Sequence, residues 1–164
     1  MAQAIAPKLE RVSAKPGDNL RHRWIETFRT VRQETERRAA PLSAEDQQIQ
    51  SMADASPTKW HRAHTTWFFE QFLLKLHVPS YREFDPRFAF LFNSYYVAAG
   101  PRHARPERGL ITRPTTEEVA AYREHVDRAV TQLLQDADDG VLRKVAPLVE
   151  IGRASCRERV SLTV

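Results

Sequence analysis

Ser56–Leu76, SPTKWHRAHTTWFFEQFLLKL, decides how this chain is read. Serine is a favoured N-cap and proline suits the first helical position, so a helix is expected to open with Ser56 as its cap and Pro57 behind it. Trp60, His64, Trp67, Phe68, Gln71 and Leu74 recur at spacings of three and four, which puts them on one face of a helix of about five turns. His64 sits in the middle of that face, one turn from Trp60, Trp67 and Phe68. An imidazole among aromatic rings needs a partner for at least one ring nitrogen, and a metal ion, a carboxylate or a carbonyl would serve. His61 lies one turn earlier, rotated about 60° toward the rim. One histidine is not a metal site, so a core histidine satisfied by a neighbouring acceptor is the competing reading.

Upstream, residues 1–17 read as a loose arm ending in Pro16-Gly17, with Asp18 or Asn19 able to cap the next segment. Leu20, Trp24, Ile25, Phe28 and Val31 then recur at helical spacing, with Arg21, Arg23, Arg29 and Arg32 assigned to the other faces. Pro41 should end this first helix near Ala40. The polar connector LSAEDQQIQSMADA leads to Ser56, and Ser43 with Asp46 can close one short helical turn within it.

Downstream, the central helix should end near His77, ahead of Pro79. Residues 79–114 are rich in proline and also carry Tyr81, Phe84, Phe88, Phe90, Phe92, Tyr95 and Tyr96. A long irregular segment with that much apolar surface is a functional loop and not a flexible linker. Phe88–Ala99 reads as a short helix inside it. The loop then gathers Arg102, His103, Arg105 and Arg108 in PRHARPERG, either a bidentate carboxylate- or phosphate-binding group or a solvated basic loop. Thr115 with Glu118 forms a capping box for a third helix, whose buried stripe is Val119, Tyr122, Val126, Ala129, Val130 and Leu133. Val141–Val149 reads as the start of a fourth helix, with Pro147 awkward unless it falls in the opening turn. Three amphipathic helices and part of a fourth predict an all-α, antiparallel four-helix bundle with the fourth helix incomplete and one long aromatic, proline-rich crossover.

The chain has 164 residues, 41% hydrophobic and 28% charged, enough for one domain with a real core. No stretch approaches the roughly 20 apolar residues of a membrane span, and no secretory signal opens the chain. The single cysteine, Cys156, rules out an internal disulfide and fits a cytoplasmic protein. The net charge of +4 is spread through the chain, mostly as a solvated face, and no zinc finger or stacking motif points to nucleic acid.

Three ordered stretches, EDQQIQSMADASPTKWHRAHTTWFFE, FLFNSYYVAAGPRHARPERGLITRPT and EEVAAYREHVD, resemble the N-terminal domain of the ergothioneine-biosynthesis sulfoxide synthases, which have a DinB-like fold. The resemblance covers roughly Thr27–Val149. It implies a non-haem iron(II) held by three histidines, one of them the second histidine of W-H-x-A-H, which is His64. The other two come from an H-x-x-x-H on the fourth helix. It further implies that Arg105 and Arg108 bind the thiol substrate's carboxylates. His61 reads either as a group supporting His64 or as a solvated residue. The reaction of that family joins sulfur from cysteine or γ-glutamylcysteine to trimethylhistidine (hercynine), using dioxygen. A sulfatase-modifying-factor-like C-terminal domain completes its active site and supplies a catalytic tyrosine.

The chain departs from that pattern after Val149. No H-x-x-x-H occurs, and EIGRASCRERVSLTV resembles the translation of a sequencing-adaptor read-through, so residues 150–164 are expected to be a non-native tail on the 18–149 domain. A fragment of this kind, with the other two histidines and the second domain missing, is expected to be inactive, to hold no iron tightly, and to leave the face of His64, Trp67 and Phe68 partly uncovered. A substitute cluster of His61, His64 and His125 would need all three rings to converge, while His22, His77 and His103 read as surface residues. The alternatives are another DinB-like, metal-dependent thiol transferase, or a non-catalytic interaction bundle. The last would be favoured by a His64 hydrogen-bonded inside a closed core.

Overall fold

In the computed structural model, which describes residues 16–160 (side chains 19–152), every regular element is helical. Helix α1 is Pro16–Ala39 and α2 is Thr58–Phe69. The chain continues from α2 through a π-helical turn, Glu70–Leu74, into α3, Lys75–His77. The one-turn α4 is Phe88–Leu91, and α5 (Thr116–Asp136) and α6 (Asp139–Val160) complete the bundle. The expected four-helix architecture with one long crossover is therefore present.

The helix directions follow from which residues meet. Arg21 donates to the Ala137 carbonyl at 2.9 Å, Arg32 pairs with Asp127 at 2.7 Å, and Glu36 pairs with Arg123, so α1 and α5 run in opposite senses. Arg62 meets Glu36 while Phe69 meets Phe28 edge-on at 5.0 Å, so α1 and α2 are also opposed. Helices α2 and α5 consequently run the same way, which is what the crossover between them permits. Helix α6 packs on α1 and α2 and closes the core.

The local signals behave largely as their chemistry dictates. Helix α1 stops at Ala39 ahead of Pro41. Ser43 and Asp46 exchange side-chain-to-backbone bonds of 3.1 Å each. Thr115 and Glu118 form the reciprocal capping box. Val119, Tyr122, Val126 and Val130 are buried, and Ala129 and Leu133 pack at the margin of the core.

Five expectations are corrected. Helix α1 begins at Pro16, so Asp18 and Asn19 lie in its first turn instead of capping it, and the rest of the arm, 1–15, lies outside the described residues. Helix α2 begins at Thr58, so Pro57 takes the cap position and Ser56 lies one residue before it, where its hydroxyl accepts from Arg108 at 2.8 Å. Phe88–Ala99 is not one helix. The buried Asn93 amide donates to the Tyr96 and Gly100 carbonyls at 3.2 and 3.0 Å, which turns the chain, and Gly100 adopts φ +99°, a conformation that favours glycine.

The fourth helix does not stop near Val149. It is capped by Asp138, which accepts from the Val141 N–H at 2.8 Å, and it runs 22 residues to Val160. Leu142, Val145 and Val149 form its buried stripe. Pro147 lies mid-helix on the exposed side, where losing the bond to the Arg143 carbonyl costs least. At Gly152 a Cβ would lie 2.3 Å from a Phe69 ring carbon, so the absence of a side chain lets α6 seat on that ring. Residues 161–164 and the side chain of Cys156 lie outside the described residues. Finally, the aromatic face is covered, with His64, Trp67 and Phe68 exposed by 0%, 0% and 4%. The crossover supplies the cover: Tyr96 packs on Phe72, Trp67, Phe68 and His64 at centroid distances of 5.1–6.3 Å.

Candidate functional site

His64 is sandwiched. Its ring stacks on Trp60 at 4.7 Å and on Trp67 at 5.5 Å, with interplanar angles of 10° and 17°. Its Nδ1 donates to the Phe92 carbonyl at 2.6 Å. A carbonyl can only accept, so the proton of the neutral ring belongs on Nδ1 and the lone pair on Nε2. The two flanking indoles also donate to the crossover, Trp60 to the Leu91 carbonyl at 3.0 Å and Trp67 to the Ala89 carbonyl at 3.1 Å.

The basic loop folds against the same helix. A cleft of about 450 Å³ is lined by Ser94, Tyr95, Arg102, His103, Arg105 and Arg108 among others, so the loop's four basic side chains share one concavity. They are not equivalent. Arg102 and Arg105 are exposed, whereas Arg108 is buried, with its guanidinium 3.5 Å from the Trp60 ring centroid and bonded to Ser56. The loop is pinned by Gln50, which donates to the Arg105 carbonyl at 2.8 Å and accepts from the Gly109 N–H at 2.6 Å. Lys59, nearly fully buried, joins it by donating to Gln48 and to the Ile111 carbonyl at 2.9 Å each. Burial, reinforced by Arg113, lowers the Lys59 pKa below the ordinary lysine value against the pull of Glu118.

Two polar clusters lie elsewhere in the bundle. Glu70, at the start of the π-helical turn, is 1% exposed and accepts from Tyr122 at 2.6 Å, Tyr81 at 2.7 Å and the Phe84 N–H at 3.2 Å. Burial, reinforced by Glu70, pushes both phenols above the ordinary tyrosine range, so they stay protonated donors. In the second cluster Arg32, Arg62 and Arg123 are buried with Thr65 and Thr66, and they pair with the half-exposed Glu36 and Asp127. Burial would raise the Glu36 pKa, but Arg123, Arg62 and Arg32 outweigh it and hold the carboxyl below its usual value. Most of the described lysines and arginines are exposed, as expected of a solvated basic face, and these three are exceptions to it. These arginines sit inside because each meets a carboxylate or hydroxyl from another helix.

The three candidate histidines do not converge. His61 stands edge-on to Trp60 at 5.6 Å on the rim. His125 is beside Tyr81 and Phe84, with Nε2 donating to the Arg82 carbonyl at 3.1 Å, in the Glu70 region instead of at His64. Among the described residues, no three His, Cys, Asp or Glu side chains could hold one metal ion. An iron(II) centre of the expected kind therefore does not fit the described residues alone. Sequence reading did not find the Phe92 carbonyl, Asn93, Lys59 or Glu70. Only Glu70 carried a signal, a lone acid within WFFEQFLL. No helix among the described residues is long and apolar enough to cross a membrane.

The family model described as the DinB superfamily matches residues 27–153, and no curated protein matches the chain.

Proposed function

This chain belongs to the DinB superfamily, and on that premise we propose that it is the helical domain of a non-haem iron(II), dioxygen-dependent sulfoxide synthase. The proposed parent enzyme forms the C–S bond between cysteine or γ-glutamylcysteine and hercynine. In this reading His64 contributes one imidazole ligand and Arg105, with Arg102 and the buried Arg108, receives the thiol substrate's carboxylates. Iron, when bound in the parent, would activate dioxygen for the oxidation. The remaining ligands and a sulfatase-modifying-factor-like domain are supplied from outside the described residues, and the chain alone has no turnover.

One observation carries this reading. The W-H-x-A-H motif and the PRHARPERG loop, separated by more than thirty positions, meet on a single ring, because Trp60 stacks on His64 at 4.7 Å and contacts Arg108 at 3.5 Å. Calorimetric titration with γ-glutamylcysteine and with cysteine tests it. Saturable, salt-weakened binding is expected, reduced about tenfold in Arg105→Ala, which corresponds to one charge-assisted hydrogen bond of about 1.4 kcal/mol. Wild-type chain that binds neither thiol would contradict the reading. That result would favour the second reading, a non-catalytic bundle, whose support is the complete burial of His64 and its bond to a backbone carbonyl.

A further inference from the structure

Helix α4 is a single turn, and a helix that short cannot satisfy its own last carbonyls. The acceptors from Ala89 to Phe92 all find donors outside it. Ala89 accepts from the Trp67 indole at 3.1 Å, Leu91 from the Trp60 indole at 3.0 Å and Phe92 from His64 Nδ1 at 2.6 Å. Phe90 accepts from the His103 backbone N–H at 3.4 Å. Three of the four donors are ring N–H groups of α2, at positions 60, 64 and 67. That spacing places one donor per turn along one helix face. The middle rung is the only one that can move its proton. An indole always donates, whereas an imidazole chooses which nitrogen carries the hydrogen. The tryptophans hold the turn in place on either side, and the Phe92 carbonyl then dictates the choice.

We propose that Trp60 and Trp67 are positioning residues for His64: their indole N–H groups fix the α4 turn so that the Phe92 carbonyl holds the imidazole in its Nδ1–H tautomer, making Nε2 the atom this motif offers to a metal ion or a proton donor. The proposal deepens the sulfoxide-synthase reading and rests on it only for the use made of Nε2. Long-range 1H–15N correlation of the histidine side chains in the full chain tests it, at a pH about 1.5 above the ordinary imidazole value of about 6.5. The wild-type His64 is expected to show a protonated Nδ1 and an unprotonated Nε2. Trp60→Phe and Trp67→Phe keep a ring in the stack and delete one rung each. In whichever variant retains wild-type helicity, both nitrogens should move toward intermediate shifts as the tautomers mix.

A wild-type spectrum with the proton on Nε2 overturns the proposal, even if neither variant folds. A wild-type Nδ1–H pattern that a folded variant leaves unchanged also overturns it, because Phe92 would then act without the tryptophans. The expected spectra combined with failure to bind any thiol uphold the ladder and sink the sulfoxide-synthase reading alone.

Discussion

Removing the Glu70 carboxylate should loosen the crossover from the bundle. Its three donors come from two places: Tyr122 on α5, and Tyr81 with the Phe84 N–H on the crossover. In Glu70→Ala the Tyr122 hydroxyl, on a side chain with 0% exposure, loses its acceptor where water does not reach. A buried donor left unsatisfied costs about 1–3 kcal/mol. Tyr81 is half-buried and can turn to solvent, so its loss is nearer 1 kcal/mol. Relief from burying the carboxylate offsets part of this, and the net destabilisation should be about 1–3 kcal/mol, a sizeable fraction of the 5–15 kcal/mol typical of a domain. Urea unfolding followed by far-ultraviolet circular dichroism measures it. Tyr122→Phe in both backgrounds completes a cycle, with an expected coupling of about 1–2 kcal/mol. Additivity within about 0.5 kcal/mol would refute the clamp, as would a Glu70→Ala variant as stable as the wild type.

The packing and the ion pairs set two further outcomes. Gly152→Leu should destabilise the chain by about 2 kcal/mol or more, since even a Cβ would lie 2.3 Å from the Phe69 ring, and thermal unfolding reads this directly. The Glu36 carboxyl has a folded pKa below its ordinary 4.5, so its contribution is complete above that value and is lost as pH falls through the folded pKa. Acid unfolding of Glu36→Gln should accordingly depend less on pH below about 4.5 than the wild type.

Local chemistry was readable where it is written in neighbouring residues. The Thr115–Glu118 box, the Ser43–Asp46 turn and the proline that ends α1 need only a few positions each. The aromatic face of α2 was readable from its period, as was the clustering of Arg102, His103, Arg105 and Arg108 in the crossover. What was hidden depends on partners distant in sequence. Ser56 reads as a cap, but the helix begins one residue later and the serine hydroxyl instead accepts from Arg108, 52 residues on. Arg32 reads as lying off the buried stripe until Asp127 on α5 meets it. The helical period put Gln71 on the inner face, but the π-helical turn at Glu70–Leu74 interrupts that period, leaving Gln71 half-buried and Glu70 inside. The Phe92 carbonyl has no side-chain signature at all, although it decides which nitrogen of His64 carries the proton.

Whether this domain contributes one imidazole to a metal centre completed from elsewhere can be decided by anaerobic titration with Fe(II), comparing the wild-type chain with His64→Ala. A single weak site that His64→Ala abolishes is the expected result, because one neutral nitrogen cannot hold the ion tightly. A tight, stoichiometric complex, or weak binding that His64→Ala leaves unchanged, would contradict it.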